Sequence, residues 1–211
     1  MWHNLLSLLK PDDVSGAIKI FKVGSLGRPN VMVTGANGLI GRALCARLSH
    51  EGVALTKVVR LSTDDSEFSV GEIDENTDWS AALCRNTEIV VHLAARVPDA
   101  ENEQTSNGNY FISTNTLGTV NLARECVRAK VKRFVFLSTA KVLGSISFGE
   151  KSGYSFKQAL DNYSLSKLRA ELELWNIAAE TGMEVVVIRP PLVYGPGVKG
   201  NFLHLMKAVI S

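Results

Sequence analysis

Three glycines between an apolar run and an amphipathic run constrain the fold of this chain most. Residues 31–33 are typical of a buried strand, residues 39–50 carry a helical pattern, and the junction between them reads Thr34-Gly35-Ala-Asn-Gly38-Leu-Ile-Gly41. Such glycines allow a tight turn (Gly35), close approach of a pyrophosphate to the backbone (Gly38) and close helix–strand packing (Gly41). The free N–H groups at the helix start favour the phosphate charge. The junction predicts a dinucleotide-binding loop with contacts from Gly35, Asn37, Gly38, Leu39, Ile40 and Gly41, and a purely structural turn is the alternative.

The rest of the chain continues this alternation of apolar runs and helical patterns. The pattern predicts further strands at 55–59, 68–73, 88–93, 133–137 and 185–188, a short helix at 79–83 capped by Asp78, and longer helices at 111–129 and 158–180. Continuously apolar strands alternating with amphipathic helices are typical of a parallel sheet covered on both faces. We therefore predict an α/β fold with a doubly wound parallel (Rossmann) sheet over residues 30–211, preceded by an N-terminal extension over residues 1–29.

Charge and cysteine content exclude several other classes of protein. The chain has 23 basic and 21 acidic residues, and its net charge of +2 is too small to indicate nucleic acid or an anionic membrane as a partner. The longest apolar runs are strand-sized, and no basic residues precede the N-terminal leucines, so we expect neither a membrane span nor a signal peptide. Cys45, Cys84 and Cys126 are widely separated and form no metal-ligand pattern, which predicts no metal site and a cytoplasmic location.

The end of the second predicted strand bears on the choice of cofactor. In dinucleotide-binding folds an acidic residue about 20 positions after the glycine loop usually bonds the adenosine ribose. Here the strand ends Lys57-Val-Val-Arg60-Leu-Ser62, without a carboxylate. The planar guanidinium of Arg60, with Arg42 as a second candidate, suits the 2′-phosphate of NADP. We predict NADP ahead of NAD, and the alternative is that Arg60 stacks on adenine or faces water.

A tyrosine and a lysine four residues apart form the candidate reaction centre. Tyr163 and Lys167 fall within the helix predicted at 158–180, where positions i and i+4 share one face. The strand before this helix ends in Ser138-Thr139, at the carboxyl edge where doubly wound sheets bind ligands. A tyrosine acting as a base near neutral pH needs its pKa lowered by about three units, roughly 4 kcal/mol, whereas an exposed ammonium supplies about 1 kcal/mol. Lys167 would therefore have to lie in a drier pocket, and an exposed helix pair without a catalytic role is the alternative.

Together these motifs resemble the extended short-chain dehydrogenase/reductase family, which comprises nucleotide-sugar epimerases, dehydratases and 4-ketoreductases. Besides the glycine loop and Tyr163/Lys167, the resemblance rests on His92-Leu-Ala-Ala95, on Asn115 before Gly118-Thr119, on Leu137-Ser-Thr139 and on Arg189-Pro-Pro-Leu-Val-Tyr-Gly-Pro-Gly197. It implies that Tyr163 transfers a proton to or from a sugar oxygen held by Thr139, while hydride moves to or from the nicotinamide. The implied catalytic residues are Thr139, Tyr163, Lys167 and Ser138. The resemblance also implies that Tyr163 and Lys167 contact the cofactor. Further cofactor contacts that it implies, in addition to the glycine loop and Arg60, are Glu72, Ile73, Leu93, Ala94, Ala95, Asn115, Pro190 and Val193.

Two departures from the family pattern refine the functional expectation. Ala140-Lys141 follows Thr139 where the 4,6-dehydratases carry an Asp-Glu pair, which argues against dehydration. The family also continues well beyond the Arg189–Gly197 motif, so we expect most of its C-terminal substrate region to be missing from this 211-residue chain. The expected function is an NAD(P)-dependent oxidoreductase of a nucleotide-linked keto-sugar, a 4-ketoreductase (favoured by Arg60) or a 4-epimerase. The alternative is a non-catalytic dinucleotide-binding module, and a homodimer is left open.

Overall fold

A six-stranded parallel sheet forms the centre of the fold in the computed structural model. The model describes residues 29–62, 64–83, 86–98, 109–144, 146–149, 153–156, 160–198 and 208–209, so nearly all of the predicted extension and Cys84 lie outside the described residues. The strands are β1 (Asn30–Thr34), β2 (Ala54–Val59), β3 (Glu67–Ser69), β4 (Thr87–His92), β5 (Arg133–Leu137), the hairpin strands β6 (Ile146–Gly149) and β7 (Gly153–Phe156), and β8 (Glu184–Ile188). The sheet order is β3-β2-β1-β4-β5-β8, with every neighbouring pair parallel. The chain winds outward from β1 on one side and from β4 on the other, which confirms the doubly wound Rossmann sheet.

Helices cover both faces of this sheet. They are α1 (Leu39–His50), α2 (Asn109–Phe111), a π-helical segment (Ile112–Gly118), α3 (Thr119–Arg128), a 3₁₀ helix (Ala140–Leu143) and α4 (Asn162–Thr181). Alternate strand residues point to opposite faces, which divides the core into two clusters. One cluster packs β-strand residues such as Met32, Val90 and Phe134 against α3 and α4, and the other packs Val31 and Val33 against α1. Of the described helices, none is long and apolar enough to cross a membrane.

Several predicted boundaries differ from the structure. Residues 79–83 form one turn rather than a helix, because the carbonyl of Trp79 accepts the N–H groups of both Ala82 and Leu83 and the turn does not propagate. The strand predicted at 68–73 is only Glu67–Ser69, and the hairpin of β6 and β7 was not predicted. The helix predicted from 158 begins at Asn162, because Asp161 caps it by accepting the N–H of Ser164 at 2.6 Å.

The helix predicted continuously over 111–129 is interrupted by the π-helical segment. π-Turns in helices often occur at functional sites, where they redirect a side chain. Here the segment contains the buried Asn115, and Gly118 packs so closely on Ile73 that an added Cβ would lie 2.6 Å from the Ile73 Cγ2 atom. The apolar pattern of residues 112–118 thus predicts a helix but does not reveal that its turns are π-helical.

Candidate active site

A cleft of about 700 Å³ opens at the carboxyl ends of β1, β4, β5 and β8. A second depression of about 350 Å³ adjoins it on the β2 side and shares Gly35, Asn37, Gly38, Leu93 and Ala95 with it. Both volumes are typical of ligand pockets, and their place is the switch point of the sheet. All of the predicted site residues line one or both of these depressions, except Asn115.

The glycine loop between β1 and α1 leaves a helix N-terminus facing the cleft. Gly35 has φ +67°, and a Cβ there would lie 2.8 Å from the backbone nitrogen of Ala94. A Cβ on Gly41 would lie 2.1 Å from the carbonyl oxygen of Gly35, so a side chain is sterically excluded there. Gly38, the N-cap residue, has no side chain to cap the helix, and the first two residues of α1, Leu39 and Ile40, line the cleft. This arrangement fits the pyrophosphate of a dinucleotide, because the backbone donors are open and no side chain occupies the approach.

Tyr163, Lys167 and Thr139 meet in the main cleft. Tyr163 is half-buried and its ring lies edge-on against Phe111, with the centroids 6.2 Å apart. The ammonium of Lys167 is 1% exposed and lies 4.1 Å from the centre of the Phe136 ring. Thr139 Oγ1 accepts the N–H of Lys141 at 3.3 Å, which leaves its hydroxyl hydrogen to be donated to a ligand oxygen.

Burial is the largest influence on the pKa values of Tyr163 and Lys167. It lowers the pKa of Lys167 to about 7, against a smaller raising effect of the Glu171 carboxylate. It also raises the pKa of Tyr163 above its ordinary value, and the nearby Asp161 carboxylate adds to that rise. Lys167 therefore lies in the dry environment that the sequence argument required. Any lowering of the Tyr163 pKa has to overcome both the burial and Asp161.

Ser138 lines the cleft, but its hydroxyl is engaged with a buried carboxylate, and its catalytic role stays a prediction. Its Oγ donates to Oε1 of Glu171, a carboxylate that is 1% exposed. Arg189, directly after β8, pairs with the same carboxylate through Nε, 3.1 Å from both oxygens, and through Nη2. This network joins the ends of β5 and β8 to α4. Sequence reasoning missed Glu171 and Arg189, although Glu171 continues the four-residue spacing of Tyr163 and Lys167.

Asn115 is not among the residues that line the two depressions, and its cofactor contact stays a prediction. Its side chain is 1% exposed: Oδ1 accepts the N–H of Arg96 at 2.8 Å, and Nδ2 donates to the Arg96 carbonyl and to Ser166 Oγ. Ser166 in turn donates to the carbonyl of Tyr163 at 2.7 Å. The buried amide therefore positions the loop after β4 against the helix that carries Tyr163.

Arg60 lies in the second depression, where it contacts a carboxylate. Its Nη1 is 3.3 Å from Oε1 of Glu72, while Oε2 of Glu72 pairs with Nη2 of Arg96. Arg42 does not join this group, because it lines the main cleft and donates to the carbonyl of Asn37 at 3.1 Å. The second guanidinium beside Arg60 is thus Arg96, which the sequence pattern did not single out. Within the described residues, no group of three or more His, Cys, Asp or Glu side chains is placed to hold a metal ion.

The sheet order, the glycine loop and the cleft define a Rossmann fold of the short-chain dehydrogenase type. Residues 31–211 match the family described as the NAD dependent epimerase/dehydratase family, and the chain belongs to this family. It is 39% identical over 189 residues to the UDP-glucose 4-epimerase of Vibrio cholerae, an alignment that covers 85% of this chain and 56% of that protein. It is 29% identical over 212 residues to the dihydroflavonol 4-reductase of Dianthus caryophyllus, covering 88% of this chain and 57% of that protein.

Solved structures show the same relationship. MoeE5 in complex with UDP-glucuronic acid and NAD superposes with a TM-score of 0.68 at 29% identity, covering 85% of this chain and 60% of that one. The UDP-glucuronic acid 4-epimerase from Bacillus cereus in complex with NAD gives a TM-score of 0.66 at 25% identity, covering 86% and 62%. The chain therefore spans a little more than half the length of these relatives.

Proposed function

We propose that this chain binds a nicotinamide dinucleotide in the two depressions and acts as an oxidoreductase on a nucleotide-linked sugar, of the 4-epimerase or 4-ketoreductase type. The observation that carries the proposal is the meeting of Tyr163, Lys167 and Thr139 in a cleft that begins at an uncapped, glycine-lined helix N-terminus. When bound, the dinucleotide supplies hydride transfer. The names of the two curated relatives, a 4-epimerase and a 4-reductase, support both variants of the proposal.

Three side chains of the cleft position the sugar oxygen and transfer its proton. Thr139 donates its hydroxyl hydrogen to the reacting sugar oxygen and holds it in line. Tyr163 accepts or returns the proton of that oxygen. Lys167 stabilises the tyrosinate, and it does so strongly because the pair lies in a dry cleft where charges are poorly screened. A buried ammonium whose pKa is near 7 is also itself able to gain and lose a proton at neutral pH.

The dinucleotide is the part of the proposal with the most support. The glycine loop from Gly35 to Gly41 would hold the pyrophosphate, Glu72 and Ile73 the adenine, and Pro190 and Val193 the nicotinamide. All of these residues except Ala36 line the depressions. The similar MoeE5 and Bacillus cereus structures are both complexes with NAD. NADP ahead of NAD stays a prediction that rests on Arg60.

The domain division, the location and the oligomeric state belong to the same proposal. We place the dinucleotide-binding domain at residues 30–211, after an extension over 1–29, and the family match over 31–211 supports this division. The sugar nucleotide is proposed because the similar MoeE5 structure is a complex with UDP-glucuronic acid. The cytoplasmic location and the homodimer stay predictions.

Tyr163→Phe tests the proposal. The chain is incubated with NAD and UDP-glucose or UDP-glucuronic acid, and epimerisation at C4 is followed by NMR; reduction of a 4-keto-sugar is followed by NADPH absorbance. We expect the variant to lose turnover by about 10²–10⁴-fold, because only the proton-transferring hydroxyl is removed, while dinucleotide affinity by calorimetry changes less than about threefold.

Tyr194→Phe is the matched control, since Tyr194 is largely exposed and lies outside the residues that line the cleft. Equal loss of binding and turnover in Tyr163→Phe would indicate a structural role for Tyr163. Dinucleotide binding without turnover in the unaltered chain would contradict the enzyme proposal and favour the non-catalytic binding module.

A further inference from the structure

Two arginines share one carboxylate in the depression beside β2. Glu72 places Oε1 3.3 Å from Nη1 of Arg60, and its Oε2 pairs with Nη2 of Arg96. Arg96 is held from a second side, because its guanidinium lies 4.6 Å above the centre of the Tyr110 ring. The side chain of Arg96 is 24% exposed and that of Arg60 is 56% exposed. Arg60 is therefore the loosely held partner of this cluster and Arg96 the firmly held one.

The backbone fixes Glu72 beside Arg60. Beyond the paired ends of β2 and β3, the N–H of Gly71 donates to the carbonyl of Arg60 at 3.0 Å, and the hydroxyl of Ser69 donates to the same carbonyl at 2.9 Å. Thr77 Oγ1 donates to the carbonyl of Glu72 at 3.1 Å. The carboxylate thus lies next to the guanidinium because of the fold, and not merely because two long side chains happen to meet.

We propose that Glu72 is a specificity-determining residue that lowers the affinity of the site for a 2′-phosphorylated dinucleotide by occupying the guanidinium groups of Arg60 and Arg96. The inference rests on the proposed dinucleotide binding. A 2′-phosphate needs a guanidinium for charge-assisted, two-pronged hydrogen bonding. In this chain Glu72 already pairs with one terminal nitrogen of each guanidinium, and its negative charge repels the incoming phosphate. Arg60 and Glu72 consequently act in opposite directions on the choice between NADP and NAD.

The test measures affinities, which do not depend on turnover. NADP and NAD are titrated calorimetrically into the whole 211-residue chain and into its Glu72→Gln, Arg60→Ala and double variants. We expect Glu72→Gln to raise the ratio of NADP to NAD affinity about ten- to a hundredfold, since a hydrogen bond to a charged group is released for the phosphate. Arg60→Ala in the Glu72→Gln background should remove most of that gain.

Glu75→Gln serves as the matched control, because Glu75 is exposed and, in the described part of the chain, contacts neither arginine. It should leave the ratio unchanged, and the thermal midpoint of Glu72→Gln should show that this variant is folded. A folded Glu72→Gln chain that binds both cofactors with an unchanged or lower ratio of NADP to NAD affinity overturns the proposed role of Glu72. The proposed dinucleotide binding would then still stand. Failure of the unaltered chain to bind either cofactor overturns the proposed function and this inference with it.

Discussion

Replacing Lys167 by methionine should stabilise the protein and, under the proposed function, remove its turnover. The ammonium is 1% exposed, and burial lowers its pKa from 10.5 to about 7. Each tenfold difference in proton affinity corresponds to about 1.4 kcal/mol, so keeping this group in the fold costs roughly 5 kcal/mol at pH values below both pKa values. Methionine has a similar length and packs favourably against the ring of Phe136, which lies 4.1 Å from the ammonium. We expect Lys167→Met to raise the free energy of unfolding by about 3–5 kcal/mol at pH 6–7.

The pH dependence makes this expectation specific. Between pH 7 and 10.5 the native state binds fewer protons at Lys167 than the unfolded chain does, so the stability of the unaltered protein rises with pH across that window. The advantage of Lys167→Met should therefore shrink as the pH rises and be nearly gone at pH 10. Urea unfolding followed by circular dichroism at one-unit pH intervals measures this difference.

Lys130→Met is the control, because Lys130 is exposed and its loss should change stability by no more than about 0.5 kcal/mol at any pH. A destabilised Lys167→Met variant, or an advantage that does not vary with pH, would refute the reasoning from burial. Either outcome would mean that groups in the cleft stabilise the charged ammonium enough to offset its burial. The same variant should bind dinucleotide more weakly and not turn over, since stability is commonly sacrificed at functional sites.

The remaining predictions concern the buried histidine and the glycine loop. Burial and Lys167 lower the pKa of His92 to about 3, so the native state keeps it neutral while the unfolded chain protonates it, and stability should fall as the pH decreases from 6.5 towards 3. In His92→Asn the urea midpoint should depend less on pH over that range. If its pH dependence is the same as in the unaltered protein, other groups cause the loss of stability. Gly41→Ala should cost more than about 2 kcal/mol in urea unfolding and abolish dinucleotide binding in calorimetry, because the Cβ would lie 2.1 Å from the Gly35 carbonyl oxygen. Gly182→Ala, where φ is +75° but nothing lies within 4 Å of the new Cβ, should cost only about 1 kcal/mol from backbone strain, and a loss no larger at Gly41 would show that the contact with the Gly35 oxygen is relieved.

Local patterns predicted the elements that carry the site better than they predicted the contacts within it. The bounds of α1 and β5 agree with the predicted ranges, because strand and helix periodicities are properties of neighbouring residues. The pairs Arg96–Glu72 and Arg189–Glu171 join residues 24 and 18 positions apart, and no short spacing announces them. The i, i+4, i+8 series from Tyr163 to Glu171 was visible in the sequence. The series does not reveal that Glu171 pairs with Arg189, because this contact depends on the position of β8 in the sheet.

Asn115 and His92 show a second limit of motif reading, since a motif marks a position without saying which way its side chain points. The ring of His92 lies between two threonines: Nε2 is 3.0 Å from Thr119 Oγ1, and Nδ1 is 2.7 Å from Thr34 Oγ1. Because the Thr119 hydroxyl donates to the carbonyl of Asn115 at 2.8 Å, it accepts from His92, which places the proton on Nε2 and leaves Nδ1 to accept from Thr34. The hydrogen-bond partners of these two buried side chains come from β1 and α3 for His92, and from the loop after β4 and α4 for Asn115.

Several of the buried polar groups form a connected chain from the end of β1, next to the glycine loop, to Tyr163. It begins at the end of β1 and reaches the first turn of α4 through Thr34, His92, Thr119, Asn115, Ser166 and the carbonyl of Tyr163. A buried polar network of this kind is tolerated when its members are hydrogen-bonded, and it then specifies one arrangement more strictly than apolar packing does. The hydroxyl of Tyr163 and the donors of the glycine loop must be held at a fixed separation if one ligand is to meet both. The polar chain through His92 and Asn115 supplies that constraint from inside the core, although neither residue is among those that line the two depressions.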